Sequence, residues 1–198
     1  MKSKIASILA VMIFGLGILF VSIDRSASPV NKSLAVANLE FEITPEEVLV
    51  APLVPKINYY LPYPGMLPDH PLYRIKMVRD RIWFWLTPDL VKKSELFLLA
   101  ADKRLGAGKV LIEGNKPALG ITTLWKSEKY LERAVETVFL AKEKDLKVGQ
   151  LTENLKTASL KHEEVLIELK EKVNGEGKTA IEEIIIFLQQ VESRASSL

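Results

Sequence analysis

Three polar side chains that can bind metal ions or exchange protons fall on helical faces that are otherwise apolar. Asp102, Glu128 and His162 each interrupt the apolar stripe of a different predicted helix. If the three faces converge in a bundle, these side chains form either a buried hydrogen-bonded layer or a set of metal ligands. The spacing of their neighbours helps to separate the two alternatives.

Metal sites in helical bundles usually place two ligands on one turn, as in Glu-x-x-His or His-Glu-x-x-His. The positions three and four residues from His162 hold Ala158, Ser159, Val165 and Leu166, so no second ligand shares its turn. We therefore predict a hydrogen-bonded core histidine, no bound metal and no cofactor. Asp102, Glu128 and His162 remain the alternative ligand set.

The residues needed for other common chemistries are missing from the sequence. The chain has no cysteine and no Gly-x-Ser-x-Gly motif, so neither usual nucleophile is present in its usual setting. The glycines at 106 and 108 do not have the spacing of a phosphate-binding loop. A net charge of +2 gives no reason to expect nucleic acid as a partner. We expect a protein that is not an enzyme.

The elements that must position these side chains are predicted to be helices. Apolar residues recur at intervals of three and four, and no stretch alternates with period two as a strand would. The predicted fold class is all-α, a bundle of about five helices, antiparallel where the turns are short. Their predicted bounds are 70–86, 88–113, 117–144, 150–173 and 178–196.

The first predicted helix allows two interpretations. Asp69 is expected to cap it, and one stripe is expected to face the core: Leu72, Ile75, Val78, Ile82 and Trp85. The run Trp83-Phe84-Trp85 favours the core, but aromatic residues also mark bilayer interfaces. The basic residues Arg74, Lys76, Arg79 and Arg81 favour a solvated face, with lipid headgroups as the alternative.

The stretch LPYPGMLPDHPLYRIK, ahead of that helix, is rich in proline and tyrosine. A flexible linker has no use for so many large apolar side chains, and proline reduces the freedom lost when a segment docks. We therefore predict that residues 57–68, here called the strap, lie folded across the helices. The expected anchors are Tyr59, Tyr60, Leu61, Tyr63, Met66 and Leu67.

The pattern of residues at the N-terminus predicts where in the cell the protein is located. Lys2 and Lys4 precede nineteen uncharged residues from Ile5 to Ile23, enough to approach the width of a bilayer. We expect an uncleaved anchor over 1–25, with the N-terminus inside, and a cell-membrane protein whose remaining residues are extracytoplasmic. The alternative is a signal peptide and a secreted protein. Residues 26–56 are expected to be a tether with a short helix over 45–51, and residues 57–198 the helical domain.

Two segments also resemble a known family. The segment LPYPGMLPDHPLYRIKMVRDRIWFWLTPDLVKKSELFLLAADKRL looks like the hallmark of an uncharacterised family of bacterial exported helical proteins, and SLKHEEVLIELKEKV resembles its fourth helix. A related segment occurs in some anti-sigma-factor-like membrane proteins. The resemblance covers most of residues 60–173. It implies an extracytoplasmic helical domain and no particular activity.

These observations together favour a membrane-anchored, extracytoplasmic helical module that binds a protein partner, acts as a scaffold or senses the cell envelope. The chain is expected to contact the membrane through residues 5–23. The alternative function is a sensor that binds a metal or a small ligand in the bundle core.

Overall fold

This computed structural model describes residues 56–198, which fold as five helices without a strand. The prediction of a five-helix, all-α fold is confirmed for these residues. The helices are α1 (Tyr73–Leu86), α2 (Leu90–Glu113), α3 (Pro117–Lys142), α4 (Gly149–Lys170) and α5 (Glu176–Ser196). None of them is long and apolar enough to cross a bilayer. The expected span over 5–23 and short helix over 45–51 lie outside the described residues.

Helices α2 and α3 form a closely packed antiparallel pair. Small residues recur at steps of seven along both helices and meet across the seam: Ser94 with Ala134, Ala101 with Ser127, and Gly108 with Gly120. The buried hydroxyls of Ser94 and Ser127 each donate a 2.8 Å hydrogen bond to the backbone carbonyl opposite. This seam fixes the register in which Asp102 and Glu128 are presented.

Helices α4 and α5 cover the pair and complete the core. Their apolar stripes supply six large side chains that are fully buried, Leu155, Leu166, Leu169, Ile181, Ile184 and Leu188. His162 lies on the same face of α4 and is also fully buried. The periodic pattern therefore directs a histidine into the centre of an apolar core.

The start of α1 differs from the prediction. The helix begins at Tyr73, and no side chain caps it. Asp69 does not cap α1. Its carboxylate forms a 2.7 Å ion pair with Lys116, on the turn before α3. Asp89 caps α2, where it accepts hydrogen bonds from the backbone N–H groups of Val91 and Lys92.

The largest difference concerns the apolar stripe of α1. All five of its residues are exposed, and α1 has no fully buried residue. The helix instead packs through Phe84, whose ring lies 4.7 Å from that of Phe97 and 5.6 Å from that of Tyr130. The expectation that the stripe faces the core is therefore wrong, because the opposite side of the helix, with Phe84 and the partly buried Tyr73, meets the bundle.

Candidate functional site

The structure brings Asp102, Glu128 and His162 together in the core. His162 Nδ1 lies 3.0 and 3.1 Å from the two carboxylate oxygens of Glu128, and Nε2 lies 3.0 Å from Asp102 Oδ1. Glu128 and His162 are completely buried, and Asp102 is nearly so. Helices α2, α3 and α4 each contribute one member, so the cluster ties three helices together.

Both ring nitrogens of His162 face carboxylate oxygens, which favours the doubly protonated imidazolium. Desolvation lowers the pKa of His162, but the negative charges of Glu128 and Asp102 and the hydrogen bonds with both outweigh it. The net effect raises the pKa of His162 from 6.5 to about 10. At neutral pH the cluster therefore holds one cation between two carboxylates.

Tyr59 extends the cluster to the strap. Its hydroxyl donates a 2.8 Å hydrogen bond to Asp102 Oδ2, the oxygen that His162 does not use. Burial, then the charge of Asp102 and the hydrogen bond itself, raise the pKa of Tyr59 far above its ordinary value, which keeps the phenol neutral and donating. The four side chains satisfy one another, and residues 56–198 contain no buried side-chain nitrogen or oxygen without a partner.

The geometry of this cluster suits a structural clamp. Both nitrogens of the imidazolium are engaged as donors, so His162 has no lone pair to offer a metal or to accept a proton. Within residues 56–198, no group of three or more His, Asp or Glu side chains has an arrangement that could hold a metal ion. Burial also keeps a substrate from reaching these atoms.

The strap contacts the bundle through fewer anchors than expected. Tyr59 and Leu61 pack against the core, and Leu67 is partly buried. Tyr60 and Tyr63 are 90% and 81% exposed, so neither ring anchors the strap. Exposure alternates from Ile57 to Leu61, and Tyr60 is on the outward side. Met66 is also exposed.

Several contacts of the strap could not be predicted from residue types alone. A Cβ placed on Gly106 would lie 3.6 Å from Pro64, an ordinary contact distance, so the strap passes close to α2 at this point. Lys76 donates to the backbone carbonyls of Pro64 and Met66, each at 3.2 Å. Glu164 accepts a 2.7 Å hydrogen bond from the N–H of Ile57.

The second candidate site is the outward surface of α1. Five exposed apolar side chains share one face, which is here called the α1 face: Ile75, Val78, Ile82, Trp85 and Leu86. Ile75 is 67% exposed and Trp85 is 80% exposed. Helical geometry places Arg74 and Arg81 along one side of this face and Arg79 along the other. The sequence pattern revealed this face but assigned it to the core.

Comparison with known proteins places these features in a family. No curated protein and no solved structure matches the chain. One family model matches residues 65–176, more than half of the chain and most of the helical domain, including Asp102, Glu128 and His162. The chain belongs to the family described as Domain of unknown function (DUF5667).

Proposed function

We propose that this protein is a membrane-anchored, extracytoplasmic helical module whose binding surface is the α1 face. The observation that carries the proposal is that a helix of 14 residues has no buried residue and turns its apolar stripe away from the bundle. Large contiguous apolar patches on a protein surface usually mark interaction sites. Scaffolding and envelope sensing both require such a surface.

The rest of the domain supports a binding role because it is built as a rigid support. The cluster of Asp102, Glu128, His162 and Tyr59 joins α2, α3, α4 and the strap. Lys76 then ties the strap to α1. These contacts hold α1 in place although few of its own side chains pack on the bundle. The alternative of a metal or small-ligand sensor has no such support, because the cluster satisfies its own donors and acceptors.

The anchoring part of the proposal rests on the uncharged run from Ile5 to Ile23 and the two lysines before it. If the run is an uncleaved anchor, the mature chain begins at or near Met1, and protease added outside the opened envelope degrades the helical domain. A mature N-terminus near Ala27, Pro29 or Asn38 would instead indicate a secreted protein.

Photocrosslinking in intact cells tests the binding surface. A photoreactive amino acid at Trp85 should form discrete adducts, with protein or with lipid, that mass spectrometry identifies. The matched control is Leu140, which is exposed on α3. Adducts at Trp85 that do not differ in kind or yield from those at Leu140 would overturn the proposal.

A further inference from the structure

We propose that the α1 face docks on the surface of an anionic lipid bilayer, an inference that rests on the proposed function and names its partner. The α1 face combines a continuous apolar strip with basic residues on both sides. Helices that lie in the plane of a membrane interface have this composition, with the apolar strip among the acyl chains and the cations at the headgroups.

The charges of α1 favour an anionic surface. The helix carries Arg74, Arg79 and Arg81, besides Lys76 bound to the strap, against a single acid, Asp80. Asp80 is on the side that faces the bundle, and its carboxylate lies 2.8 Å from Arg79. Arg74 and Arg79 therefore flank the apolar strip without an acidic residue on the strip itself. Anionic headgroups attract clusters of basic residues of this kind.

The aromatic residues occupy the position expected at a bilayer interface. Trp83 and Trp85 are both exposed and lie near the C-terminal end of α1. Tryptophan is enriched where hydrocarbon meets headgroups because its ring is apolar and its N–H needs a polar partner. The prediction that these two rings belong to the core is wrong, and the bilayer provides the environment that the core does not.

The chain itself brings a bilayer within reach. The uncharged run ends at Ile23, and 49 residues separate it from Tyr73 at the start of α1. Tethering converts docking into an intramolecular event with a high effective concentration, so an individually weak contact suffices. The length of this intervening segment lets the α1 face meet the membrane that holds the anchor.

A second copy of the chain fits the α1 face less well than a bilayer does. A two-fold dimer brings the same patch of each copy together. The arginines on both sides of the strip would then face the arginines of the other copy, and juxtaposed like charges are unfavourable. An anionic bilayer meets the same residues with opposite charge.

Spin-label accessibility in the full-length chain tests the proposal. The sequence has no cysteine, so Ile82→Cys introduces a single labelling site at the centre of the α1 face, and Ile186→Cys provides an exposed control on α5. Each labelled chain is reconstituted into vesicles of phosphatidylcholine with or without phosphatidylglycerol. Collision rates are measured with oxygen, which concentrates in lipid, and with a water-soluble nickel chelate.

We expect the label at position 82 to gain oxygen access and lose nickel access when phosphatidylglycerol is present, while the label at 186 stays accessible to nickel. Arg74→Gln with Arg79→Gln should lower the docked-to-free ratio at least about fivefold, since an arginine near an anionic surface contributes about a fivefold effect. Asp80 already offsets part of the charge of Arg79. Lys144→Gln with Lys147→Gln removes two exposed charges between α3 and α4 and should leave the ratio unchanged.

The other outcomes separate the two proposals. A label at position 82 with low access to both reagents would show that protein covers the α1 face, from a second copy or from this chain. That result would overturn lipid docking and leave the binding surface intact. High nickel access both in these vesicles and in native membranes would overturn lipid docking and the proposed function together.

Discussion

Tyr59 and Asp102, 43 residues apart in sequence, are joined by a 2.8 Å hydrogen bond from the phenolic hydroxyl to Oδ2. The bond connects the strap to the central cluster, because the other oxygen of Asp102 contacts His162 Nε2 at 3.0 Å. One carboxylate therefore joins the strap, α2 and α4. This relationship explains how a proline-rich segment with few buried side chains keeps a defined position.

Removing this hydroxyl should destabilise the domain. Tyr59→Phe leaves Asp102 Oδ2 without its donor, and a hydrogen bond to a charged group is worth about 1.5–3 kcal/mol. We expect a loss of this order in the free energy of unfolding, measured by urea denaturation. Tyr60→Phe is the matched control, because Tyr60 is exposed and the hydroxyl that donates to Asp102 is that of Tyr59. Equal unfolding curves for the two variants would show that the bond contributes nothing.

Replacing His162 should cost more than an ordinary core substitution. His162→Leu leaves Asp102 and Glu128 buried without their cation, and breaking a buried ion pair in this way costs about 3–5 kcal/mol. Adding Glu128→Gln to that variant removes one uncompensated charge and should recover part of the loss. His70→Leu, at an exposed site, is the control and should change stability little. A double variant less stable than His162→Leu would contradict the ion-pair account.

The stability of the domain should depend on pH through His162. Its pKa is raised from 6.5 to about 10, so the native state holds the proton more tightly than the unfolded chain. The stabilisation is complete below the unfolded value and is lost as the pH rises towards about 10. The free energy of unfolding should therefore fall over this range. Nuclear magnetic resonance should show the ring still protonated well above pH 6.5, and a ring that titrates near its ordinary value would contradict the assignment.

Two glycines of α2, Gly106 and Gly108, should differ in how replacement by alanine changes the stability of the domain. A Cβ on Gly108 would lie 2.5 Å from Leu124 and 3.2 Å from the carbonyl oxygen of Gly120, so Gly108→Ala should overpack the seam and cost about 1–3 kcal/mol. Gly106→Ala meets only Pro64 at ordinary contact distance and should be neutral or stabilise the helix by up to about 1 kcal/mol. Thermal unfolding of both variants checks this, and a Gly108→Ala variant as stable as the natural chain would show that the helices can separate without cost.

The sequence predicts the helices well because their apolar stripes are long and regular. It also places Asp102, Glu128 and His162 on core-facing positions, since each interrupts such a stripe. It does not reveal their pairing, because that depends on the register of α2 and α3, which the small residues from Ser94 to Gly108 set at the seam.

The direction of α1 could not be predicted from periodicity. An apolar stripe shows that a helix has a face to cover, but it does not show what covers it. The contacts of Phe84 with Phe97 and Tyr130, together with that of Tyr73 with Arg104, put the other side of α1 against the bundle. Likewise, residue type does not separate the partly buried Tyr59 from its exposed neighbour Tyr60.

The central claim is that the α1 face is covered in the cell, and thiol labelling measures this directly. Single cysteines at Ile75 and at Leu140 react with a water-soluble maleimide, first in the purified, detergent-solubilised chain and then in native membranes opened to the reagent. Both positions are exposed in the structure. We predict that labelling at position 75 becomes much slower in membranes than in the purified chain, while labelling at position 140 keeps its rate. Equal rates at position 75 in the two settings would contradict the account.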